Sequence, residues 1–265
     1  MKIQLSEHFT YKKLLRFVLP SIIMMIFTSI YSVVDGLFVS NFVGKTALAA
    51  INLTLPIIMG LSALGFMIGT GGSAIVARML GEKKREKANE YFSMLIYVTA
   101  IGGILLSILG TIFIPAIASL LGAKGQLLSN CILYARLSFI SMPAFMLQNV
   151  FQSFLITAEK PKLGLLATIA AGVTNMVLDA LFIAGFGWGV AGAAVATGLS
   201  QCVGGLFPLL YFLRPNNSLL RLRPVKLQLR PILQSCGNGA SEVVSSVTSS
   251  IIGMVYNFQL LRFAG

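Results

Sequence analysis

Seven apolar runs separated by short polar turns leave this chain few ways to fold. They cover Leu14–Ser40, Ala47–Leu80, Tyr91–Leu121, Leu127–Ala158, Leu163–Phe186, Val190–Leu213 and Ile232–Leu260. About 20 apolar residues cross the roughly 30 Å hydrocarbon core of a bilayer as a helix. In that medium only helices and closed barrels pair every backbone N–H and C=O, and these runs are far too long for barrel strands. The expected fold is an all-α polytopic membrane protein. Charged residues make up only 11% of the chain, against about 25% in soluble proteins, which points the same way.

The net charge of +12 would suggest a nucleic-acid partner in a soluble chain. Position argues otherwise. Lys2, Lys12, Lys13 and Arg16 precede the first run, and Arg78, Lys83, Lys84, Arg85 and Lys87 lie between the second and third. Lys160 and Lys162 separate the fourth and fifth, while Arg214, Arg221, Arg223, Lys226 and Arg230 separate the sixth and seventh. Those sixteen fall on one side, against Lys45, Lys124 and Arg262 on the other and Arg136 inside the fourth run. Cytoplasmic loops concentrate Lys and Arg, so the N-terminus and these loops are expected in the cytoplasm, facing anionic lipid and not nucleic acid. No cleavable signal peptide is expected, and the first run serves as span and insertion signal together.

Carboxylates inside apolar runs are costly, at about 2.5–3.5 kcal/mol near a helix centre. Asp35 lies in the first run and Asp179 in the fifth, with Asn175 one helical turn before Asp179 on the same face. With the stated orientation, both aspartates sit five to seven residues from the outer end of their runs, roughly 8–11 Å deep. Thr197 lies at a similar depth in the sixth run. The four side chains Asp35, Asn175, Asp179 and Thr197 are therefore expected to form one buried cation or proton site. The competing reading is that each carboxylate lies near enough to the surface to be hydrated separately.

Other motifs reduce to membrane architecture. Gly187-Trp188-Gly189-Val190-Ala191-Gly192 spells G-x-G-x-x-G, but a span precedes it and no acid follows until Glu242, so it reads as a tight turn rather than a dinucleotide site. Gly65 and Gly69 read as a close helix–helix contact. Pro20, Pro56, Pro115 and Pro143 fall within runs and can kink them. Cys131, Cys202 and Cys236 have no metal or redox spacing, and the single histidine, His8, has no partner for chemistry. Neither a cofactor nor an enzymatic activity is expected.

Val34-Asp35-Gly36-Leu37-Phe38-Val39 followed by Ala47-Leu48-Ala49-Ala50 resembles the first-span signature of multidrug and toxic compound extrusion (MATE) transporters of bacterial type. Ala77-Arg78-Met79-Leu80-Gly81-Glu82 resembles the exit of that family's second span. Asn175-x-x-x-Asp179 with Gly189-Val190-Ala191-Gly192-Ala193-Ala194-x-Ala196-Thr197 is similar to its fifth and sixth. The resemblance implies a cation-coupled antiporter, driven by H⁺ or Na⁺, that exports lipophilic, cationic small molecules from the bacterial inner (plasma) membrane. It implies that Asp35, Asn175, Asp179 and Thr197 hold the coupling ion and that Pro20 marks a bend in the first helix. It implies further that Asn149 is a polar position near that site and that Glu242 resembles a second-lobe acid. No metal is implied beyond Na⁺ at that same site.

Such transporters carry twelve spans in two lobes. On that pattern residues 1–213 form a six-helix N-terminal lobe and 214–230 a basic cytoplasmic linker. Residues 231–265 then begin a second lobe whose remainder is missing, and a truncated product is expected. Leu15-Arg16-Phe17-Val18-Leu19-Pro20-Ser21 and Leu229-Arg230-Pro231-Ile232-Leu233-Gln234-Ser235 share four of seven residues, a faint echo of a second half. The alternatives are a flippase of lipid-linked oligosaccharides, for which Arg136 is the one basic cavity candidate, and a non-transporting fragment.

Overall fold

The computed structural model describes residues 11–264 except Asn216; His8 and Lys2 lie outside the described residues. Among the described residues eight α-helices follow one another: α1 (Tyr11–Phe38), α2 (Lys45–Gly81), α3 (Arg85–Leu120), α4 (Gly125–Ile140), α5 (Met142–Thr157), α6 (Pro161–Asp179), α7 (Gly189–Leu213) and α8 (Leu229–Ala264). No strand occurs among the described residues. The protein is an all-α polytopic membrane protein.

The fourth apolar run is two helices. α4 and α5 meet at Ser141 with a 56° bend, and together they pass as one broken span. Pro143 explains the break: it sits in the first turn of α5, where its missing N–H is harmless, but its ring would clash with the carbonyl four residues back in a continuous helix. Pro20, by contrast, is buried inside α1, which continues unbroken through it. Counting α4–α5 once, six spans combine the length and the apolarity needed to cross a membrane. α8 has the length but carries a Ser/Gly-rich sequence from Ser235 to Ser250, and it packs along α2.

Two large apolar clusters hold the bundle, towards its opposite ends, with a smaller third one of Ala50, Leu53, Ala118, Ala123 and Cys131. The basic turns close over Phe92, Phe151, Phe154 and Phe212, with Phe92 edge-on to both Phe154 and Phe212 at 4.9 Å. At the opposite end Val39, Ile51, Tyr134, Phe139, Ile183, Val190 and Ala193 form the second cluster. Glycine sets the spacing between helices. A Cβ on Gly65 would stand 2.9 Å from the Met146 carbonyl oxygen and one on Gly69 3.0 Å from Val150 Cα, so α2 and α5 touch backbone to backbone, as expected of this pair. Elsewhere on α2, a Cβ on Gly71 would overlap the Ser235 carbonyl of α8. α1 and α3 turn Ile22, Ile26, Ile30, Ile104, Ile108 and Ile112 outward, as lipid-facing surfaces do.

Outside the spans, Glu82 takes Lys84 Nζ at 2.7 Å and Arg78 Nε at 3.0 Å. The Lys84 ammonium, then the Arg78 guanidinium, hold its carboxyl below the ordinary value. The Gly187–Gly189 segment is a turn, with φ of +66° and +58° at the two glycines.

Candidate functional site

The two carboxylate-bearing helices end alike. α1 runs into a π-helical turn at Val39–Val43 and α6 into another at Ala180–Gly185, which begins one residue after Asp179. π-turns are rare and concentrate at functional sites. Val39 lies one turn beyond Asp35, Ile183 one turn beyond Asp179, and Ala193 one turn before Thr197; all three belong to the cluster that contains Tyr134. Residues four apart share a helical face, so α1, α6 and α7 approach one another at this cluster.

Within that convergence Asp35 and Asp179 act on each other directly, by charge and at hydrogen-bonding reach. Asp179 is 0% exposed and Asn175 2%. Asp35 Oδ1, both carboxylate oxygens of Asp179 and Asn175 Oδ1 are buried without a hydrogen-bond partner. The two carboxylates thus face each other in an apolar surround, with a further unpartnered acceptor on Asn175 one turn before Asp179, and acceptors cannot satisfy one another. An unmet buried polar group costs about 1–3 kcal/mol, more when charged. A proton shared between the carboxylates, or a hard cation held by these oxygens, suits such a set of unpartnered acceptors.

Thr197 is half-buried, and its height can be read from packing. A Cβ on Gly192 would stand 3.1 Å from the Phe182 carbonyl oxygen, which fixes the antiparallel register of α6 and α7. Five residues further along α7, Thr197 falls level with the stretch between Asn175 and Asp179. Next to it, Gly198 packs on Ser141 at the break of the fourth span, where Ser141 Oγ meets Gln201 Oε1 at 2.7 Å.

Tyr134 belongs to this site and was not legible in the sequence. It is 3% exposed on α4 and lies within electrostatic reach of both carboxylates. Tyr31, one turn before Asp35 on α1, interacts with Asp35 as well. Aromatic residues are abundant in this chain, and the sequence carries no spacing that separates these two from the rest.

Asn149 and Glu242 stand apart from the carboxylate pair. Gln148, beside Asn149, packs over Gly204, seven residues beyond Thr197 along α7 and so about 10 Å nearer the basic end. There Asn149 Nδ2 and Gln148 Oε1 are also buried without partners. Glu242 is half-buried on α8, the helix that packs along α2. Among the described residues no group of three His, Cys, Asp or Glu side chains could jointly hold a metal.

The family model MatE matches residues 20–181. Multidrug export protein MepA of Staphylococcus haemolyticus is 29% identical over 262 residues, covering 97% of this chain and 57% of that protein. MepA of Staphylococcus saprophyticus subsp. saprophyticus is 31% identical over 257 residues, covering 96% of this chain and 56% of its own. The chain thus spans little more than half the length of these relatives. Among solved structures, a MATE protein in complex with MaD3S superposes with a TM-score of 0.85 at 28% identity, covering 91% of this chain and 55% of the other. The outward-facing conformation of a multidrug resistance MATE transporter of the MOP superfamily gives 0.84 at 28% identity, over 92% of this chain and 57% of the other. A family match across most of the bundle, with both carboxylates inside it, makes the conclusion plain: the chain belongs to the MatE family.

Proposed function

We propose that this chain supplies the ion-coupling half of an antiporter that exports lipophilic, cationic compounds in exchange for H⁺ or Na⁺. The observation that carries the reading is the Asp35–Asp179 pair, buried between α1 and α6 with unpartnered oxygens. Two like charges about 4 Å apart repel by about 4 kcal/mol at an effective dielectric of 20. Adding a proton or Na⁺ removes that repulsion, and about 5.5 kcal/mol is enough to invert a two-state equilibrium from 1:99 to 99:1. Ion uptake at this pair can therefore change which of two helix arrangements is preferred. Asn175 and Thr197 complete the site, and Tyr134 sets its electrostatics.

α2 and α8 meet backbone to backbone at Gly71 and Gly239, and grooves lie between them on both sides of that contact: one of 530 Å³ lined by Asn52, Pro56, Met59, Ser246 and Ser249, and one of 420 Å³ at the basic end lined by Ala74, Arg78, Glu82, Gln234 and Asn238. The distribution of Lys and Arg supports a basic end in the cytoplasm of a bacterial inner membrane. Substrate would pass between the first lobe and a second one that begins at α8. The test is ion-driven dye efflux by the full-length protein in vesicles. Asp35→Asn and Asp179→Asn should each abolish efflux at unchanged expression; persistent ion-driven efflux in both variants removes the mechanism.

A further inference from the structure

We propose that residues 218–223, in the passage from α7 to α8, are a strap built into the six-helix bundle, and that slack in this passage is confined to residues 224–227, since the Gln228 N–H again donates to Met94 Sδ of α3 at 3.3 Å. The passage is basic and lacks helix, which by sequence makes it a linker. Its backbone is docked instead. Arg85, Asn89, Ser93 and Tyr97 occur every fourth residue along α3, so they form one row down the helix. Every member of that row holds the strap. Arg85 donates from Nη2 to the Ser218 carbonyl at 2.8 Å and from Nε to the Leu219 carbonyl at 3.1 Å. Arg221 N–H donates to Asn89 Oδ1 at 2.9 Å, Arg223 N–H donates to Ser93 Oγ at 2.9 Å, and Tyr97 OH donates to the Arg223 carbonyl at 3.3 Å.

The fit is metric. Four residues of helix rise about 6 Å, and two residues of extended chain advance about 6.6 Å. A row at i, i+4 and i+8 on α3 therefore keeps step with alternate residues of an extended segment. Side-chain groups of a helix here act as the neighbouring strand would in a sheet. The strap's own side chains alternate accordingly: Leu220 is 0% exposed and joins the cluster of Phe92, Phe154 and Phe212, Leu222 packs against that cluster, and Arg221 and Arg223 point outward. Leu222 N–H also donates to the Phe212 carbonyl at 3.3 Å. Pro224 follows, with no N–H to continue the ladder. The strap thus ties the end of α7 to the flank of α3 and leaves only a few residues before α8 starts at Leu229. A second lobe that moves against the first must pivot across 224–227.

The strap stands whether or not the carboxylate pair couples an ion, and its test uses no transport readout. In the full-length protein in micelles, hydrogen exchange of the Arg221 and Arg223 amides should be at least a hundredfold slower than that of Val225, Lys226 and Leu227. Asn89→Leu, which deletes the acceptor, should speed both amides at least tenfold. Asn89→Asp, which keeps an oxygen there, should not. Exchange at Arg221 and Arg223 as fast as at 225–227, or indifferent to Asn89→Leu, overturns the strap. Should the leucine variant fail to fold, trypsin decides on the unaltered protein: cleavage at Arg221–Leu222 should be at least tenfold slower than at Lys226–Leu227, and equal rates overturn the proposal.

Discussion

Gly239 of α8 lies against the backbone of Met67 in α2 so closely that no side chain fits between them. Two residues earlier on the same helix, Gly237 has nothing within 4 Å of where its Cβ would be. The contrast separates helix propensity from packing in one experiment. Gly237→Ala removes a flexible residue from a helix and should leave stability unchanged or raise it by about 0.5–1 kcal/mol. Gly239→Ala forces α2 and α8 apart and should cost about 1–3 kcal/mol, read as a lower midpoint of thermal unfolding in micelles. Equal midpoints for the two variants would show that the close contact does not exist in the protein.

Tyr134 offers a second test, since it faces both carboxylates from α4. Tyr134→Phe keeps the ring in its cluster and removes only the hydroxyl. The hydroxyl interacts with the carboxylates by charge and not by a hydrogen bond, and one pKa unit corresponds to about 1.4 kcal/mol, so the half-saturating concentration of the driving ion for dye efflux should change by roughly threefold to tenfold. Maximal efflux at saturating ion should persist, because the carboxylates remain. An unchanged ion dependence would leave Tyr134 a packing residue.

How much of this was readable beforehand depends on what kind of signal each feature leaves. Apolar runs, basic turns and intramembrane acids are written in composition, so the spans and the pairing of Asp35 with Asp179 were within reach. The break at Ser141 was half legible: Pro143 marked it, but Pro20, Pro56 and Pro115 look the same in sequence and sit in helices that continue through them. Tyr134 was not legible because its role depends on how the broken fourth span seats α4 against α2, α3 and α7. The strap left a trace that charge obscured. Leu220-Arg221-Leu222-Arg223 alternates with a period of two, the pattern of a half-buried extended segment, yet four basic residues from Arg221 to Arg230 read more loudly as a solvated linker.

Asn175 can distinguish the two coupling ions. Its Oδ1 is buried and unpartnered one turn below Asp179. A proton needs only the carboxylates, whereas Na⁺ is a hard cation that gathers several oxygen ligands, and a neutral amide oxygen is useful to the second and dispensable to the first. Asn175→Leu keeps the volume and deletes the oxygen. If Na⁺ is the coupling ion, Na⁺-driven dye efflux in vesicles at fixed pH should need at least about tenfold more Na⁺, a loss of about 1.4 kcal/mol. If H⁺ is the coupling ion, efflux driven by a pH gradient should survive the substitution with its rate within about twofold, a change of roughly 0.4 kcal/mol. Loss of both activities at normal expression would assign Asn175 to the structure of α6, and undiminished Na⁺-driven efflux would remove its oxygen from the ion's ligands.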